Sequence, residues 1–296
     1  MTASALTQRS SEPRSNKPRN NRAWNLSKRL IGDVGLFIGV ALLLIPFVFA
    51  LLTALRPAAD VSANPIAWPE NLTLDNVVDA FHRINYAQSV ANTLLILVCS
   101  CVLTVVFGAM ASYPLSRIGR SWTNTMYRLF IVGTTIPIYV LIAPLYLLVR
   151  DLQILGTHLS VILIYTAMNL PIAVFFYTSF MRQVPAELEE AAAIDGAGPL
   201  RIFFVVIFPL LTPVTATLVT FISLVVWNDL IVPLVFLQGE ENRTIMANAY
   251  ALIDPNTVEP TTLFPAALLG VLPLILVFSW LQRYVVAGMS AGAVKS

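Results

Sequence analysis

The sequence predicts an all-α, polytopic membrane protein with six transmembrane helices. Two observations carry that expectation. Of the 296 residues, 57% are hydrophobic and 11% are charged, against about 25% charged in an ordinary soluble domain. The apolar residues also fall into separate blocks of about 20, the length a helix needs to cross roughly 30 Å of hydrocarbon at about 1.5 Å per residue. The blocks are 34–55, 89–113, 129–149, 159–180, 211–237 and 263–281, and the one acid or base inside any of them is Asp229 in the fifth. What lies between them is too short and too scattered for a soluble catalytic domain.

Residues 1–30 are polar and rich in Ser, Asn, Pro and Arg. They lack the apolar core and cleavage site of a secretory signal, and read as a disordered basic tail that fixes topology or rests on lipid headgroups. Residues 31–88 hold the first span and an outer loop. The membrane core is expected over 89–283, with five spans and a loop at 181–209, and 284–296 form a C-terminal tail. Lys and Arg in short loops resist translocation. With the N-terminus in the cytoplasm, only Arg56, Arg83, Arg150 and Arg243 of the 18 lysines and arginines lie on the far side. Both termini and the 181–209 loop are therefore expected in the cytoplasm. Trp24, Trp68 and Trp122 sit beyond span ends and Trp280 at one, where indoles favour the headgroup level.

Pro46, Pro137, Pro144, Pro171, Pro213, Pro233, Pro265 and Pro273 each remove a backbone donor in or near a span and invite a kink. Cys99 and Cys101 share one span and offer no disulfide framework, so they read as packing residues. Gly108, Ala109, Ala111 and Ser112 cluster at the inner end of the second span, where small residues permit close helix approach. Polar groups at membrane depth must face protein or water. Asn92, Asn169, Asn228 and Asp229, with Trp227 beside them, are thus candidates for a substrate pathway, and neutral amides suit a hydroxyl-rich solute. The place of Asp229 toward the outer end of its span, shortly before Pro233, favours a capping or interface role over a proton relay.

Absences bound the chemistry. The lysines are Lys17, Lys28 and Lys295, none preceded by glycine, so there is no phosphate-binding G-x-x-x-x-G-K loop. His82 and His158 lie in loops without clustered Cys or carboxylates, so no metal site is expected. No nucleophile constellation exists either. The chain is expected not to be an enzyme.

The 181–209 loop is the most informative segment. Pro185 followed by Glu187, Glu189 and Glu190 is a helix start, with acids near the positive end of the dipole. Ala191 to Ile194 continue it, Gly196 ends it, and Gly198-Pro199 turn the chain into a second short helix. Leu188, Ala191, Ala192 and Asp195 share one face, a narrow ridge able to enter a partner's groove. Glu187 and Glu190 occupy a neighbouring face. A helix resting on the lipid surface would carry Lys or Arg instead.

Glu190-Ala191-Ala192, Gly196 and Val206-Ile207-Phe208-Pro209 resemble the E-A-A-x3-G-x9-I-x-L-P loop of permease subunits in binding-protein-dependent ABC importers. Val206 and Phe208 are conservative departures. Thr73 to Val78, Trp227-Asn228-Asp229 and Val285 to Lys295 resemble the outer loop, W-N-[ED] and F-x-x-G-x-x-x-G-A-V-K segments of sugar permeases like the second membrane subunit of the maltose-type importer. The resemblance implies a type I ABC importer permease fold in a bacterial or archaeal plasma (inner) membrane. It implies a second related permease, two ATPase subunits that bind ATP and Mg, an extracytoplasmic solute-binding protein, and no cofactor in this chain itself. Glu187, Glu190, Ala191, Ala192, Asp195 and Gly196 would dock on one ATPase, whose closure would switch the spans from inward to outward facing. The 238–262 loop would approach the binding protein and the C-terminal tail the ATPase interface. An ion-coupled secondary transporter, a membrane scaffold and a permease for a glycerol-phosphate-type solute are the competing readings. The first would need intramembrane ionisable groups at the midplane, the second leaves the acidic loop unexplained, and the third would need a membrane-embedded cation for its anion.

Overall fold

The computed structural model describes residues 22–253 and 259–293, with side chains for 32–253, 259–277 and 279. The chain divides into two compact units, residues 1–49 and 50–296. In the first unit the described residues form one helix, the start of α1 (Arg22–Ala54). It begins inside the segment expected to be a tail, so the end of that segment is helical. Its apolar stretch, Gly32–Ala54, has no buried residues in its most apolar window.

The second unit is helical throughout among its described residues. After α2 (Ala58–Ala63) and α3 (Asp75–Arg83) come α4 (Tyr86–Arg117), α5 (Ser121–Gly133), α6 (Ile138–Asp151) and α7 (His158–Met181). Then follow α8 (Glu187–Ile194), α9 (Pro199–Arg201), a π-helical segment (Ile202–Ile207) and α10 (Phe208–Leu210). The chain ends with α11 (Thr212–Asn228), α12 (Ile231–Phe236), a 3-10 turn (Glu240–Asn242), α13 (Ile245–Ala251) and α14 (Pro260–Ala293). α14 continues helically through most of the expected C-terminal tail.

Among the described residues four helices are long and apolar enough to cross a membrane, or up to six if each of two bent pairs is one span. The third expected block falls within the first pair, α5 with α6; the second pair joins residues 199–210, expected in the loop, to α11, and the fifth block itself divides into α11 and α12, so neither block is the single straight helix that its hydropathy suggests. α5 and α6 meet at 101°. Pro137 has no N–H to continue α5, and Thr134 and Thr135 turn their hydroxyls back onto the carbonyls of Ile131 (2.6 Å) and Val132 (2.7 Å). The 199–210 segment meets α11 at 73°, where Pro213 removes another donor and the Thr212 hydroxyl donates to Pro209 O at 2.6 Å. α11 in turn stops at Asp229, which is extended (ψ 130°).

α4 and α7 form the spine. Ser100 donates to Ile162 O (3.4 Å) and Ser112 to Val174 O (3.2 Å). Gly108 lies so close to α7 that a Cβ there would stand 2.7 Å from Ala173 Cβ. Lipid is as apolar as the helices, so such contact and these bonds, rather than expulsion from water, hold the pair together. Tyr177, wholly buried, bonds Thr215 of α11 at 2.9 Å. Cys101 is buried in the same core and Cys99 packs at its edge.

At the α3 end the connections are sewn shut. Buried Arg56 donates to the carbonyls of Pro65, Asp60 and Asn64 at 2.9–3.2 Å, and Asn76 donates to Ala54 O and Arg56 O. Asn92 donates to Glu241 O (2.7 Å) and Arg243 O (3.1 Å), and Asn248 donates to Ser89 Oγ (2.7 Å) and Ile84 O (3.2 Å). Buried backbone groups are thereby paired across segments remote in sequence.

Candidate coupling loop and substrate cavity

α8 stands at the other end of the spine. Its first turn holds Glu187, Glu189 and Glu190, close to the positive end of the helix dipole. Glu187, Leu188, Glu190, Ala191, Ile194 and Asp195 are exposed, Ile194 at 86%. Ala192 is half-buried and packs against the apolar core. The outward face is therefore Leu188, Ala191 and Ile194 edged by carboxylates, while Ala192, expected on the same ridge, anchors the helix from behind. The helix ends as expected at Gly196, in the left-handed region at φ +82°. There Gly196 N donates to Ala193 O and Ala197 N to Ala192 O, both at 3.0 Å, an arrangement that closes the last carbonyls of a helix.

Glu189 is the residue that sequence reasoning passed over. It turns inward, with one carboxylate oxygen 2.6 Å from Arg117 Nε and the other accepting from Tyr113 OH at 2.7 Å. Three glutamates within one helical turn look alike in a sequence; the heptad-like spacing that would single out an inward one is absent in so short a helix.

The two broken spans meet at a cavity of about 530 Å³. Ile138 and Tyr139, just past the α5–α6 break, line one wall, and Asn228, Asp229, Leu230 and Ile231, at the α11–α12 break, line another. Non-helical backbone at membrane depth is tolerated where it lines such a space. Of the expected pathway residues, Asn228 and Asp229 are in this lining and Asn92, Asn169 and Trp227 are not. Asn92 is occupied in tying down the 240–243 turn. Asn169 donates to Tyr165 O in its own helix at 2.8 Å. Trp227, only 2% exposed, donates to Gly270 O of α14 at 3.0 Å. A buried indole or amide whose donor reaches a backbone carbonyl has its polar demand met by the fold. Asp229 accepts from Ile231 N (3.0 Å) with Oδ1 and from Tyr165 OH (2.9 Å) with Oδ2. The first bond is a turn that starts α12.

A profile of the family described as binding-protein-dependent transport system inner membrane component matches residues 104–291. This chain belongs to that family. The melibiose/raffinose/stachyose import permease protein MelC of Bacillus subtilis (strain 168) is 37% identical over 252 residues, covering 85% of this chain and 91% of that protein. The arabinooligosaccharides transport system permease protein AraQ of Halalkalibacterium halodurans is 32% identical over 254 residues, 84% and 90% of the two chains. In fold, a chain of the bacterial ABC transporter involved in import of the acidic polysaccharide alginate matches with a TM-score of 0.73 at 21% identity, over 90% of this chain and 99% of that one. As an inner-membrane transport component the protein is multi-pass, and the family is one of permeases rather than enzymes.

Proposed function

We propose that this permease is one of two transmembrane subunits of an ATP-driven importer that moves a neutral sugar or oligosaccharide into the cytoplasm by alternating access. The observation that carries the reading is α8, an exposed helix of acidic and small apolar side chains, capped at Gly196 and fastened to the ends of spans. In this reading both termini and α8 are cytoplasmic. Glu187, Glu190, Ala191, Asp195 and Ile194 meet a separate ATPase, which binds ATP and Mg, and Ala192 and Gly196 hold the helix in shape. A second, related permease completes the pathway, and an extracytoplasmic binding protein delivers the solute at the α3 end. The names of the relatives, which specify oligosaccharides, support the substrate class. So does the cavity, whose polar groups are an amide, a carboxylate and the Tyr139 hydroxyl, with no cation to hold an anionic sugar.

Purifying the chain with co-produced partners is the direct test. An ATPase subunit should accompany the wild type, and Glu190→Ala should lower uptake about tenfold, a change typical of a site-to-site coupling free energy. Unchanged ATPase association and uptake in Glu190→Ala would exclude the assignment of α8.

Asp229 is given a structural role at the cavity rather than a proton-relay role. Asp229→Asn keeps an acceptor for Ile231 N but replaces the oxygen that accepts from Tyr165 OH with an amide donor, so the loss is about one hydrogen bond, roughly 0.5–1.5 kcal/mol. Uptake measured across pH should fall severalfold at most, with an unaltered profile. Abolished uptake with the variant still assembled would instead mark a relay acid.

A further inference from the structure

The coupling helix is attached to the spine by a half-buried joint as well as through the turn at Gly196. Tyr113 and Arg117 are one helical turn apart at the end of α4, so they project to the same side. Between them sits the Glu189 carboxylate, one oxygen on each. The Arg117 and Glu189 side chains are 19% and 15% exposed, whereas the other pairs, Arg83–Asp79 and Arg150–Asp151, are more than half exposed. Arg117 Nη2 is buried with no partner among the described residues, so Glu189 is the anion on which this guanidinium depends. The Tyr113 ring also packs on Phe203 (centroids 5.4 Å apart), in the π-helical segment that follows the α8 turn. One cluster thus grips α4, α8 and the entry to α11.

A short helix tethered only by a glycine turn would pivot under load. A bidentate carboxylate, held by a charge and a hydroxyl in a partly desolvated place, resists that pivot because separating it strands a partly buried charge. We propose that Tyr113, Arg117 and Glu189 form a force-bearing joint that delivers displacement of α8 directly to α4, and through the α4–α7 contact to the spine, rather than to α11 alone. These are positioning residues: they contact neither nucleotide nor solute. The proposal rests on the reading of α8 as the ATPase contact. It adds that the push enters the second span as well as the fifth.

The test uses the complete complex, with uptake and ATP hydrolysis measured on the same preparations. Glu189→Ala and Arg117→Glu should each lower the solute moved per ATP hydrolysed by about tenfold, in the range of a coupling free energy. The exchanged pair Arg117→Glu/Glu189→Arg should recover most of that ratio. Tyr113→Phe, which keeps the ring on Phe203 and loses the bond, should give a smaller reduction. An unchanged ratio in both single variants overturns the joint, as does an exchanged pair no better than the worse single variant, whether the fault lies in coupling or in folding. Failure of the joint alone leaves Glu190→Ala impaired. Failure of the ATPase contact itself leaves Glu190→Ala active.

Discussion

Gly108→Leu is expected to prevent accumulation of the folded permease, and Gly108→Ala to destabilise it by about 1–3 kcal/mol, the usual cost of overpacking. A Cβ at residue 108 would stand 2.7 Å from Ala173 Cβ and 3.6 Å from Tyr177 Cδ2. Neither neighbour can yield easily. Ala173 has no side-chain freedom, and Tyr177 is wholly buried and bonded to Thr215. Relief requires α4 and α7 to separate, and separation stretches the Ser112 bond to Val174 O, 3.2 Å long, one turn away. Gly119→Ala is the control, since nothing lies within 4 Å of a Cβ there. Thermal unfolding of detergent-purified protein should rank wild type with Gly119→Ala and place Gly108→Ala clearly below them. Equal midpoints for the two alanine variants would refute close packing at this crossing.

Gly196→Val is expected to abolish uptake while leaving the spans folded. At φ +82°, a side chain with a Cβ is strained by about 1–2 kcal/mol, and a β-branched one by more. No steric clash contributes, because the space around the position is open. The strain is relieved by unwinding the last turn of α8, which moves Ile194 and Asp195 off the outward face. Gly196→Asn should fall between, since Asn enters the left-handed region more readily. Gly198→Ala should behave as wild type, its φ being −73° in open surroundings. Uptake in whole cells, with membrane insertion checked separately, reads the series. An active Gly196→Val would show that the shape of the helix end is immaterial.

Hydropathy located the apolar segments, four of which are single helices long enough to span and two of which fall in bent pairs among the described residues, because length and the absence of charge are one-dimensional properties. The breaks in the third and fifth spans were less legible. Pro137 and Pro213 signalled weak points, but proline inside Pro46, Pro144 and Pro171 helices leaves those helices whole, so the residue alone does not separate a kink from a 101° turn. At the site, the Glu190 helix and the Gly196 cap were readable from capping chemistry, which is local. Burial was not. Asn92 and Trp227 look like polar groups awaiting a solute until their acceptors, Glu241 O, Arg243 O and Gly270 O, are known. The inward turn of Glu189 was hidden for the same reason: its partners, Tyr113 and Arg117, are 76 and 72 residues away.

The stitching at the α3 end also sets an order of events during synthesis. The carbonyls that satisfy Asn92 arrive 149 and 151 residues after it, and the amide of Ile245 that bonds Thr93 arrives 152 residues later. At about 5–20 residues per second, an interval of that length is roughly 8–30 s. Throughout it Asn92 and Thr93 of the nascent α4 have only the local partners Gln88 (3.1 Å) and Ser89 O (2.7 Å). A ribosome product cut short before residue 245 therefore keeps an open seam at the α3 end.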